Sequence, residues 1–221
     1  MIKHPAAAYI GPFVVFIVFL AGGKYLPIPP EAEQILRFVV IAAAIWYFSR
    51  HLVSFKMKAP LASIALGIAV FLLWIGPDAL IPGYRSHWLF QNFITGTIQV
   101  SMPPGLLEDR FQLILRLARA ALLVPILEEL FWRGWLMRWL IDNDFERVPL
   151  GTYAAGAFRI TAILFASEHG PYWEVGLITG AIYNWWMIRT KSLPDLYVTH
   201  GVTNLCLSLY VIATGKWEYW M

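Results

Sequence analysis

The chain has 221 residues, 59% apolar and only 14% charged, whereas soluble domains run at roughly 45 to 50% apolar and about 25% charged. That balance excludes a water-soluble fold and predicts an integral membrane protein. The net charge of +3 does not point to nucleic acid as a partner, because the Lys and Arg residues cluster in short connectors between apolar runs, which is the signature of membrane orientation.

In chain order, Met1-Ile2-Lys3-His4-Pro5 leads into an apolar stretch ending near Ala21. A charge followed by an apolar core could pass for a signal peptide. No small-x-small cleavage site opens onto a soluble domain, however, and more apolar runs follow, so this stretch reads as a retained first span. Further runs cover 35–48 and 61–75, separated by the breaks 24–30 and 50–58. The mixed stretch 84–109, with Met102-Pro103-Pro104-Gly105 as a strong breaker, reads as an interfacial segment or loop. From 108 to 141 one long helix is expected, kinked near Pro125. It holds Arg116, Arg119, Glu128, Glu129, Arg133 and Arg138, too many charges for a lipid-exposed helix, so it must face protein or a water-filled cavity. Three more runs, 152–166, 175–188 and 196–213, bring the total to about seven spans.

The fold expected is therefore an all-α, polytopic transmembrane helical bundle, a single membrane domain over 1–221 without internal repeat, with its chemistry in 108–213. Trp217, Tyr219 and Trp220 suit an interfacial anchor. Cys206, the single cysteine, lies in an apolar run and reads as lipid-facing or core filler. With the N-terminus inside, the connector holding Arg50, Lys56 and Lys58, the segment 133–147, and Arg189 with Lys191 all fall on the cytoplasmic side. That scheme puts His169 toward the opposite face from Arg133. If the two meet, one span must be short, tilted or half-inserted, and Gly170-Pro171 permits such an end.

Three polar clusters interrupt the apolar runs. In Glu128-Glu129-Leu130-Phe131-Trp132-Arg133, Glu129 and Arg133 stand one helical turn apart, while Glu128 points about 100° away. Arg133 thus neutralises and orients Glu129 and leaves Glu128 to project elsewhere. In Phe165-Ala166-Ser167-Glu168-His169, the polar residues arrive only at the end of the run. In His200-Gly201-Val202-Thr203-Asn204, His200 and Asn204 share one helix face. Ionisable groups at membrane depth are costly and usually functional. Structural readings stand beside these: Glu129 with Arg133 as a packing ion pair, His169 bonded to backbone at a helix end, and His200 with Asn204 as interhelical glue. For His4, His51 and His87, in the terminus and connectors, the structural reading dominates.

The order Glu-Glu-x-x-x-Arg, Phe-x-x-x-His, His-x-x-x-Asn resembles the CPBP family of intramembrane glutamic endopeptidases, which contains the type II CAAX prenyl proteases and the bacteriocin-processing (Abi) proteins. The resemblance runs from about Leu123 to Leu205; the first 105 residues show only membrane spans. It implies that Glu128, with His169, activates water for attack on a peptide carbonyl, that His200 and Asn204 hold the oxyanion, and that Glu129 and Arg133 shape the site. Water needs a base to attack an amide, and donors aimed at the developing oxyanion are worth about 3 to 4 kcal/mol each. The implied partners are a membrane-associated peptide or protein substrate and the lipid bilayer, with no cofactor and no metal. A narrower similarity, to the CAAX-protease-related proteins of bacteria with exosortase sorting systems, rests on the compact length and on Val124-Pro125. The expected location is a bacterial inner (cytoplasmic) membrane.

Three other readings compete. Glu128, His169 and His200 are suitable zinc donors for a metallopeptidase, although no His-Glu-x-x-His motif is present. Buried carboxylates and histidines also build the proton relays of transporters, although the paired broken helices of such folds are not evident. A non-enzymatic scaffold, or pseudoprotease, would tolerate Glu128→Gln without loss of phenotype.

Overall fold

The computed structural model describes residues 4–220, so the opening Met1-Ile2-Lys3 lies outside the described residues. Seven helices carry the chain: α1 (Ala7–Gly22), α2 (Pro30–Ser49), α3 (Pro60–Leu80), α4 (110–139), α5 (Ala155–Ser167), α6 (Trp173–Thr190) and α7 (Leu193–Thr214). Among the described residues there is no strand, and the stretch between α3 and α4 is irregular apart from two short 3₁₀ turns. The chain is an integral membrane helical bundle.

Helix starts follow local chemistry. Pro30 and Pro60 sit in the first turn of α2 and α3, where a missing N–H costs nothing. Asp109 caps α4 by accepting from the Phe111 and Gln112 amides at 2.8 and 3.2 Å. Helix α2 begins five residues before its apolar run because Glu31 and Glu33 favour the positive end of the helix dipole.

The bundle is inside out compared with a soluble protein. Val18, Val39, Leu61, Leu72, Ile163 and Leu209 are exposed, while Gln34, Ser63, Gln112, Glu129, Arg133, Asn184 and Asp195 are buried. In water such an apolar surface would aggregate; in hydrocarbon it is the stable arrangement. Helices α2, α3 and α7 are each long and apolar enough to cross a membrane, while α1 and α5 are shorter apolar helices of 16 and 13 residues. At 1.5 Å per residue α5 measures about 20 Å, against about 30 Å for the hydrocarbon. Helix α5 is thus shorter than the hydrocarbon is thick, and His169 lies just beyond its end.

The long polar helix α4 is continuous but not regular. Its α-helical parts are interrupted by π-helical stretches at Arg119–Leu123 and Leu130–Leu136, which bracket the Glu128-Glu129 pair. Pro125 donates no N–H to the preceding turn, and the carbonyls there find other use. Asn204 Nδ2 donates to the Ala120 oxygen at 2.9 Å. Gly201 lies so close that a Cβ on it would sit 2.7 Å from the Ala121 oxygen. Absence of a side chain at Gly201 therefore lets α7 lie against the opened turn of α4. Gly67 does the same for α3 and α7, where a Cβ would come 2.6 Å from the Thr199 oxygen.

Asp195 locks the basic end of the bundle. Its carboxylate, fully buried at the start of α7, accepts from the amides of Lys58 and Ala59 at 2.8 and 2.7 Å and from Ser63 Oγ at 3.0 Å. It thereby caps the start of α3 across more than 130 residues of sequence. Asp195→Ala is expected to destabilise the protein by about 2 to 3 kcal/mol, because charge-assisted bonds are lost and the buried donors are left unmet. Thermal unfolding in detergent would read this as a lower midpoint, with Asp195→Asn falling between. An unchanged midpoint for the Ala variant would mean the capping contributes nothing.

At the opposite end Arg85 makes a comparable clamp. It reaches Glu174 at 2.6 Å, Asp78 at 2.8 Å and the Pro171 carbonyl at 2.7 Å, joining the end of α3 to the turn between α5 and α6. The aromatic segment after α7 departs from the anchor expected of it. It folds back over this end, where Ser101 N and Oγ both donate to the Trp220 oxygen at 2.8 Å and Trp220 is buried beside Arg116. A stable indole contact with Met102, Leu106 and Val211 outweighs exposure at the headgroups. Cys206 is free and half-buried.

Candidate active site

A cavity of about 220 Å³ opens among α3, α4, α5, α6 and α7, and Glu128, His169, His200 and Asn204 all line it. The structure thus brings together the four residues singled out for chemistry, from three helices. Glu129 and Arg133 stand behind the wall, 0% and 1% exposed.

The rear layer is a closed hydrogen-bond network. Arg133 Nη1 donates to both Glu129 oxygens at 3.1 Å, its Nε donates to Asn184 Oδ1 at 2.8 Å, and its Nη2 donates to the Gly180 carbonyl at 3.1 Å. Asn184 Nδ2 in turn donates to the Phe158 carbonyl at 2.9 Å. The guanidinium also lies 4.7 Å from the Phe165 ring and 5.5 Å from the Tyr183 ring. A buried ion pair is tolerable only when its remaining donors and acceptors are satisfied, and here they are.

Glu129 accepts one more bond, from His200 Nδ1 at 2.9 Å. A carboxylate only accepts, so the proton of this contact sits on Nδ1, and Nε2 is the nitrogen left for the cavity. Similarly, His169 Nδ1 lies 2.7 Å from the Phe165 carbonyl. Nδ1 must be the donor there, and the neutral ring keeps a lone pair on Nε2. The spacing Phe-x-x-x-His now has a physical reading. Phe165 supplies the carbonyl that fixes the tautomer, a ring 4.8 Å from the imidazole, and the floor under Arg133. Trp74 closes the other side at 5.2 Å and is itself held by donating to Thr179 Oγ1 at 2.9 Å.

Glu128 differs from its neighbour. It is 8% exposed, and its Oε2 is buried without a hydrogen-bond partner among the described residues. Asn204 uses one amide N–H on the Ala120 carbonyl and keeps the other. The arrangement holds an unpartnered carboxylate oxygen, the Nε2 atoms of two imidazoles and the spare N–H of Asn204 around a space large enough for water and one reacting group. Among the described residues no group of three or more His, Cys, Asp or Glu is disposed to hold a metal ion.

Residues 110–206 match the sequence family described as type II CAAX prenyl endopeptidase Rce1-like. The match covers 97 of the 221 residues and supports a relationship to the CPBP/CAAX proteases over that part of the chain. That family is one of membrane proteases, which supports a hydrolase role for the matched part of this chain. The match does not reach down to the exosortase-associated subgroup. No curated protein and no solved structure matches the chain.

Several cavity or network residues lie outside the motif residues. Asn184, Gly180 and Tyr183 come from α6, Trp74 from α3, and Tyr219 from the segment after α7. Asn184 was detectable, being the one amide in the run 175–188, by the same logic that singled out His200. The aromatic residues were not, since a Trp in an apolar run reads equally as lipid-facing. Trp74 and Tyr219 also mean that the segment 108–213 does not enclose the cavity by itself.

Gly176 is a sensitive point. A Cβ there would meet the His169 ring at 3.1 to 3.2 Å, so Gly176→Ala must push the imidazole by a few tenths of an ångström. Activity is expected to fall about tenfold, since small misplacement of a reacting group is costly, with little change in the unfolding midpoint. Equal activity in the two proteins would mean that the ring position is not critical.

Proposed function

We propose that the chain hydrolyses a peptide bond of a membrane-associated protein or peptide, within the inner membrane of a bacterium, by a glutamate-activated water. What carries the reading is the convergence of Glu128, His169, His200 and Asn204 on one small cavity, with a Glu128 oxygen that has no partner of its own. A structural carboxylate is paired, as Glu129 is; an unpaired one at this depth is retained at a cost.

In this mechanism Glu128 takes a proton from a water that also donates to His169 Nε2, and the water oxygen attacks the carbonyl carbon. The carbonyl π pair moves onto oxygen, where the free Asn204 N–H and His200 Nε2 meet it. Because the His200 Nδ1–H is committed to Glu129, Nε2 donates only when the ring is an imidazolium. The doubly paired Glu129 is then the counter-ion that accompanies it, with Arg133 holding the carboxylate in place. The tetrahedral adduct collapses as the C–N bond breaks and the nitrogen takes a proton.

The test is N-terminal peptide mass spectrometry on membranes of cells carrying the wild type or Glu128→Gln. Termini that appear only with the wild type would name the substrate and support the reading. Identical termini in both strains, with a phenotype only on deletion, would replace it with the scaffold reading.

A further inference from the structure

Glu168 belongs to none of the three motifs, yet it lines the same cavity as Glu128 and His169. It follows the last residue of α5, where the negative end of the helix dipole disfavours an anion. Among the described residues it makes no ion pair. Trp132, one turn beyond Glu128 on α4, lies beside it, its buried indole N–H turned toward the Glu168 carboxylate. Glu128 lines the same space and is close enough for the two carboxyl groups to repel when both are charged. Two carboxyl groups facing one space of about 220 Å³, with Arg133 already engaged by Glu129, do not both carry a charge cheaply.

We propose that Glu168 is a second catalytic carboxyl group, the acid that protonates the departing nitrogen while Glu128 acts as base. The inference rests on the peptidase reading above. It assigns the two carboxyl groups different tasks by position: Glu128 is buried on α4 with a free oxygen, whereas Glu168 is at the exposed rim, open to a leaving group on its way out. The balance closes. One proton passes from water to Glu128 as the C–O bond forms, and a second passes from Glu168 to nitrogen as the C–N bond breaks. Water in the cavity then returns a proton from Glu128 to Glu168, and the sum is one peptide bond and one water converted to an acid and an amine.

The experiment uses the full-length protein in liposomes, with a synthetic peptide spanning the cleavage site found by the comparison of termini and the same peptide with an ester in place of the scissile amide. An ester leaves as an alkoxide or alcohol with far less need of an acid, so the acid's removal separates the two substrates. Glu168→Gln is expected to slow amide cleavage by about 10²-fold or more and ester cleavage by less than about threefold, with Glu168→Asp recovering part of the amide rate. Equal slowing of amide and ester, or no slowing of either, would overturn the assignment. Glu128→Gln serves as the control: loss of both substrates upholds the peptidase reading, while retention of both fails that reading and this inference with it.

Discussion

Glu128→Gln is expected to lower peptide cleavage by about 10²- to 10⁴-fold, the usual span for loss of a general base, while leaving the unfolding midpoint close to that of the wild type. The carboxamide has nearly the shape of the carboxyl group, and the Oε2 position it would fill has no bond to lose. Glu129→Gln is expected to behave differently. That residue accepts from Arg133 and His200 at once, so the variant loses stability together with rate. Rates on the identified cleavage-site peptide, measured beside thermal unfolding of the same preparations, separate the two. A Glu128→Gln protein that cleaves at the wild-type rate would remove Glu128 from the mechanism.

The second large effect is on folding. Arg133→Met is expected to destabilise the protein by about 3 to 5 kcal/mol, because it leaves the Glu129 carboxylate buried without its counter-charge. Both side chains of the pair are wholly shielded, so no solvent is at hand to compensate. Adding Glu129→Gln to Arg133→Met should recover a substantial part of that loss, since the charge is gone from both sides, but not the activity. Detergent-solubilised unfolding of the single and double variants tests this. A single variant as stable as the wild type would mean that the pair is not what holds α4 against α6.

Part of this site was legible in the sequence because polar residues in apolar runs have few explanations at membrane depth. Helical spacing alone paired Glu129 with Arg133 and set Glu128 apart, and both features stand in the structure. The charge pattern allowed a short, tilted or half-inserted span beside His169 if it was to meet Arg133, and α5 is a short apolar helix of 13 residues there. Other features depend on partners far away in sequence. The His200 to Glu129 bond joins residues 71 positions apart. The π-helical stretch Arg119–Leu123 of α4 could not be read from a 3.6-residue period, since it goes with Pro125 and with Gly201 and Asn204 of α7 meeting the opened turn. The return of Tyr219 to the cavity likewise rests on Ser101 holding Trp220, a contact that residue type does not announce.

The shortness of α5 also acts on the lipid. Hydrocarbon beside a helix about 10 Å too short to cross it must either thin or be replaced by protein. Here the turn 88–95 is laid over the gap, with Phe93 95% and Ile94 79% exposed, and it shares with Ala166, Ser167 and Gly170 an apolar groove of about 720 Å³. The apolar groove therefore opens within a few residues of His169. A chain segment lying in the bilayer plane would thus find, beside the cavity that holds His169, an apolar groove on the protein where α5 leaves the span incomplete.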